Sequence, residues 1–116
     1  YTEAFAAGEL KHGPIALIEE GTPVLCVVTQ SSLEEKMISN IKEVKARGAF
    51  VLAITKQNNK EVAKVADEVI YIPEAEDILM PVLSVIPTQL IAYYASIARG
   101  NDVDKPRNLA KSVTVE

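Results

Sequence analysis

Between Thr22 and Ile72 the chain alternates short apolar runs with longer stretches whose apolar residues recur every three or four positions. The first run, Val24 to Val28 within TPVLCVVTQ, is almost unbroken, which predicts a strand buried on both faces. After it, Leu33, Met37, Ile38, Ile41 and Val44 fall at helical spacing, with Lys36, Lys42, Glu43 and Arg47 on much of the opposite side. Ser32 with Glu35 three residues on predicts a capping box at the start, and Gly48 a stop at the end. Ala49 to Thr55 (AFVLAIT) predicts a second buried strand. Gln57–Asn59 reads as a loop, Lys60–Ala66 as a short helix and Glu68–Ile72 (EVIYI) as a third strand closed by Pro73. Asp77 to Arg99 then predicts a long helix stopped by Gly100. Pro81 lies near its start and Pro87 inside it, so a break or kink is expected there.

The opening YTEAFAAG reads as the last turns of a helix ended by Gly8. The Gly13-Pro14 pair breaks the path, and Pro14 can open a short helix through Glu20. Residues 101–116 form a polar tail without a period. The order β-α-β-α-β-α predicts an α/β fold, with a parallel sheet between helical layers and right-handed crossovers. Three strands are fewer than a doubly wound domain usually has. The remaining strands are expected upstream of Tyr1, so the chain reads as truncated at its N-terminus, in agreement with the missing initiator Met.

At 116 residues and 48% hydrophobic content, the chain fits one domain with a real core. A net charge of −4 attracts no polyphosphate backbone, so nucleic acid is not expected as a partner. The longest apolar stretch, Ile78 to Ala98, is interrupted by Pro81, Ser84, Pro87, Thr88, Gln89 and Ser96. It reads as a buried helix rather than a membrane span. One cysteine excludes an internal disulfide and fits a reducing, cytoplasmic setting. One His and one Cys far apart give no metal-ligand spacing, and neither a GxGxxG nor a P-loop is present, so no metal and no cofactor are expected.

Few residues stand out chemically. His12, the single histidine, lies at a break between helices. It is either an acid/base group or a loop side chain facing water. Lys111 is either a solvated tail charge or, given a desolvating or cationic setting, an amine able to condense with a carbonyl sugar. Cys26, central in an apolar strand, reads as a small hydrophobe. Glu19-Glu20, Glu34-Glu35 and the Glu74/Glu76/Asp77 group read as solvated helix ends or faces. Met37, Met80, Tyr93 and Tyr94 read as core or interface, the tyrosine pair as possible lining of a subunit contact.

Two segments carry a family resemblance: Ala6 to Pro14 (AAGELKHGP) and the tail Asp102 to Glu116 (DVDKPRNLAKSVTVE). Together with SNIKEVKARG and VIPTQLIAYYASIARG between them, they resemble the C-terminal part of the isomerase domain of the glucosamine-6-phosphate synthase (glutamine–fructose-6-phosphate amidotransferase) family. The likeness covers essentially the whole chain, and the tail is its most specific part. It implies a flavodoxin-like SIS (sugar-isomerase) domain, with residues 1–116 as its C-terminal subdomain and 101–116 as a tail that orders over the sugar. It implies the conversion of fructose 6-phosphate and glutamine-derived ammonia into glucosamine 6-phosphate. In that scheme Lys111 forms an imine with the open-chain keto sugar, and His12 assists ring opening from the neighbouring subunit of a homodimer. Ala110 lies against the sugar and Val113 near the ammonia path.

The implied partners are an N-terminal glutaminase domain, whose nucleophile Cys26 cannot replace, and an upstream SIS subdomain. The family's carboxylate base, a lysine one turn before it and the Ser/Thr-rich phosphate loop all precede AAGELKHGP. None occurs in these 116 residues, so the chain alone is expected to be inactive. The competing reading is a phosphosugar-binding or dimerising SIS module without chemistry. The DKPRNLAKSVTVE tail favours the enzyme.

Overall fold

A computed structural model describes residues 1–107. Three strands, β1 (Pro23–Val28), β2 (Phe50–Lys56) and β3 (Glu68–Ile72), form one sheet in the order β1-β2-β3, and both pairs are parallel. The expected strands and their direction are therefore present. The register sets Cys26 beside Ala53 and Ala53 beside Val69. Because side chains alternate across a strand, Cys26, Val28, Val51 and Ala53 share one face. Helix α1 (Glu34–Lys45) covers that face with Ile41 and Val44, and Ile15, Ala49 and Val62 complete the core.

The opposite face is covered unevenly. Ile54, Lys56 and Ile72 are buried there, but Leu25 and Val27 on β1 remain 42% and 41% exposed. The expectation that β1 is buried on both faces is thus corrected. A continuous apolar run records that both faces favour cover, whereas the cover itself comes from other elements, and here it reaches only the β2–β3 side.

Other details of the element assignment also shift. Residues 1–6 are exposed and adopt no helix, since nothing packs on them to offset nucleation. Gly8 lies inside a 3-10 helix, Ala7–His12, rather than ending a helix. Pro14 does open a short 3-10 helix, Pro14–Leu17. The capping box at Ser32 does not form. The chain enters α1 through a 3-10 turn, Ser31–Leu33, in which the Leu33 amide already donates to the Gln30 carbonyl at 3.1 Å. The helix expected over Lys60–Ala66 shrinks to a 3-10 turn, Val62–Lys64. There the buried Asn59 carboxamide accepts the Val62 amide at 3.2 Å, and the fully buried Val62 plugs the crossover.

Gly48 stops α1 as expected, with φ 90°. A Cβ on it would lie 2.3 Å from Glu20 Oε2 and 2.8 Å from Glu20 Cα. The Gly21 amide donates to the Gly48 carbonyl at 2.8 Å, so the entry to β1 is tied to the exit of α1.

Helix α2 (Met80–Ala98) follows a 3-10 turn at Asp77–Leu79 and is continuous. The break considered at the prolines does not occur. Pro81 sits in the first turn, where an amide proton is not needed. Pro87 is interior, and hydroxyls on either side of it bond back to carbonyls: Ser84 Oγ to Pro81 O at 3.2 Å and Thr88 Oγ to Val85 O at 2.6 Å. The chain divides into two compact units, Tyr1–Ser84 and the residues from Val85 on.

Met80 is fully buried, but Ile78, Val82, Leu90 and Tyr94 are exposed, and only 17% of the helix's most apolar window is buried. The cover expected for this helix is therefore not supplied by the described residues. The helix is about 28 Å long at 1.5 Å per residue, and its apolar residues encircle it rather than forming one stripe. By length and composition it is also able to cross a membrane.

Candidate functional site

His12 ends the 3-10 helix Ala7–His12, and Gly13 separates it from the next helix at Pro14. Its neighbours anchor the segment, since Leu10 packs against the core and Ile15 is part of it. The imidazole itself is exposed and makes no side-chain hydrogen bond among the described residues. The local sequence therefore fixes the backbone on both sides of His12 while presenting the ring to solvent. Ala110, Lys111 and Val113 lie outside the described residues. The tail begins with a turn in which Asp102 Oδ1 accepts the amides of Asp104 and Lys105 at 2.9 and 3.1 Å.

A polar cluster that the sequence reading missed sits at the C-terminal ends of β1 and β2. Lys56, the last residue of β2, is only 8% exposed. Its Nζ donates to Asp77 Oδ1 at 2.5 Å and to Ser31 Oγ at 2.9 Å. The Ser31 amide donates to Asp77 Oδ2 at 3.1 Å, and the Ser31 hydroxyl to Oδ1 at 3.2 Å. The Lys56 ammonium and the Ser31 amide hold the Asp77 carboxyl below the usual carboxylate range. Asp77 is the partly solvated acid at a helix start that the Glu74/Glu76/Asp77 group suggested, and its ties to Lys56 and Ser31 are what the sequence did not show. A signal was available: Lys56 is in phase with Leu52 and Ile54 on an apolar strand, which draws its stem inward and calls for a counter-ion.

The opposite end of the sheet carries a second acid with fixed partners. Asp67 Oδ1 accepts from Lys45 Nζ at 2.5 Å, and Oδ2 accepts from the Val51 amide at 2.7 Å. The Lys45 hydrogen bond, then that of Val51, lowers its pKa. Cys26 is 9% exposed, and burial pushes its thiol up to about 11. It is the small hydrophobe the sequence implied. Tyr93 and Tyr94 stack edge to face at 5.3 Å between centroids on an exposed part of α2. Among the described residues, no group of three His, Cys, Asp or Glu could hold a metal ion.

A three-stranded parallel sheet with a helical crossover and polar groups gathered at the strand ends defines an α/β domain of the open-sheet class. The family model of the SIS domain matches residues 1–99, and the chain belongs to that family. It is 62% identical over all 116 residues to a glutamine–fructose-6-phosphate aminotransferase [isomerizing] of Clostridium acetobutylicum, and 60% identical to that of Symbiobacterium thermophilum. It spans 19% of the length of each of these curated relatives. Among solved structures, the C-terminal domain of glucosamine-fructose-6-phosphate aminotransferase from Francisella tularensis is similar, with a TM-score of 0.78 and 36% identity. That match covers 89% of this chain and 29% of the other.

Proposed function

We propose that residues 1–116 act as the C-terminal SIS subdomain of a cytoplasmic glutamine–fructose-6-phosphate aminotransferase. In this role they help to form glucosamine 6-phosphate from fructose 6-phosphate and glutamine-derived ammonia. The observation that carries the reading is the 53–62% identity to enzymes of that name over the full 116 residues. The partners within the parent are an N-terminal glutaminase domain and a further SIS subdomain, and the parent is a homodimer.

Lys111 is the group that makes the covalent bond. Its neutral amine adds to the C2 carbonyl of the open-chain sugar and, with loss of water, forms an imine. Ammonia then adds at the same carbon and releases the lysine. A free lysine has a pKa of about 10.4 and is almost wholly protonated at neutral pH. The site must therefore remove solvent or add positive charge before the amine can attack. Tail residues 101–116 closing over the sugar would supply that desolvation when substrate is present, with Ala110 against the sugar and Val113 beside the path of ammonia. His12 moves a proton between ring oxygen and hydroxyl as the ring opens. Its anchored backbone and solvent-facing ring support service to a neighbouring subunit's site.

Borohydride reduction in the presence of fructose 6-phosphate tests the assignment in the full-length protein. The expected result is a sugar adduct on Lys111. Lys111→Arg keeps the charge but forms no productive imine, so synthesis falls by at least about a thousandfold while sugar binding weakens far less. Label on a different lysine, or an active Lys111→Arg enzyme, would refute it.

A further inference from the structure

We propose that Ser31 and Lys56 form a latent oxyanion site at the strand ends, occupied in this chain by its own Asp77 carboxylate. Three donors converge on that carboxylate: the Lys56 ammonium, the Ser31 hydroxyl and the Ser31 amide. Both of its oxygens are used. An ammonium, a hydroxyl and a backbone amide aimed at one point are the donor set that holds an oxygen-rich anion such as sulfate or a phosphate monoester. The seat also lies where open parallel sheets receive their ligands, beyond the C-terminal ends of neighbouring strands.

The two halves of the ion pair differ in a way that separates seat from occupant. Lys56 is rooted in β2, and its side chain is 10% exposed, so its charge requires a permanent anionic partner. The Asp77 side chain is 44% exposed and is delivered by a short 3-10 turn lying 21 and 46 residues away from Lys56 and Ser31. The donors thus belong to the sheet and its following turn, while the anion comes from a separate segment with one side in water.

While Asp77 is seated, a tetrahedral anion meets a like charge and no free donors, so the site is closed. Losing the carboxylate uncovers the donors. Lys56, left buried without a partner, then takes an anion from solution.

The test uses the full-length protein and two probes, tungstate located by anomalous scattering in soaked crystals and sulfate titrated by its effect on melting temperature. In the unaltered protein no tungstate is expected between Ser31 and Lys56. Asp77→Ala is expected to hold tungstate there and to gain sulfate affinity by about tenfold or more. The double variant Asp77→Ala with Lys56→Met is expected to lose both gains. If Asp77→Ala does not fold, Asp77→Asn, which keeps the shape and removes the charge, is read in the same two ways. A folded Asp77 variant with an empty seat and unchanged sulfate response overturns the proposal, as does tungstate bound there beside an intact Asp77. Each result is read at Ser31 and Lys56, so it is independent of whether Lys111 forms an imine.

Discussion

Gly48 combines two demands that no other residue meets together. Its φ of 90° strains any side chain, and a Cβ would press on the Glu20 backbone as well as on its carboxylate. Gly48→Ala is expected to destabilise the protein by roughly 2 kcal/mol or more. Chemical denaturation should register this as a lower midpoint with an unchanged slope. Cys26 shows the reverse case, a reactive group silenced by its place. With its pKa pushed up to about 11, only about one thiol in a thousand is ionised at pH 8. Alkylation by iodoacetamide should be slow in the native protein and become fast in denaturant. Rapid native labelling would show that β1 opens readily.

At the scale of elements, the two ends of the sheet are each closed by a carboxylate that joins segments distant in sequence. Asp67 ties the end of α1 to the start of β2 through Lys45 and the Val51 amide. Its folded pKa is lowered, so its stabilising contribution is fully present above the unfolded value of about 3.9. It is lost as pH falls through the folded value. The stability difference between the protein and Asp67→Asn should hence be constant well above the unfolded value of about 3.9 and shrink as pH falls below it. A difference that grows on acidification would contradict this sign. The ion pair is partly exposed, so the effect at neutral pH is modest.

For the whole molecule, the exposed apolar length of α2 and the solvent-facing His12 both agree with a chain that works within a larger assembly. If His12 serves a partner's site, mixing full-length His12→Ala and Lys111→Arg subunits should restore activity to about a quarter of the unaltered level. Half of randomly paired dimers are mixed, and each mixed dimer rebuilds one of its two sites. Subunit exchange verified by mass, with no recovery, would exclude a shared site.

The sequence by itself determined the three strands, the two long helices and the direction of the strands. Three apolar runs separated by polar, glycine-punctuated links leave little alternative to parallel strands with crossovers, because strand and helix periods are local properties of the chain. It also determined the family, above all through the tail DVDKPRNLAKSVTVE with AAGELKHGP beside it, and the inert role of Cys26, which follows from the strand around it. It did not determine how far each face is covered. Leu25 and Val27 carry the apolar pattern of buried residues and yet remain 42% and 41% exposed. Periodicity states which side chains favour cover, not which surfaces are near enough to supply it. Nor was the seat of Asp77 legible, for an acid among Glu74 and Glu76 looks solvated until folding brings Lys56 and Ser31 to it. Hydrogen bonds between residues 21 and 46 positions apart leave no periodic trace in the chain, and only the tertiary structure decided them.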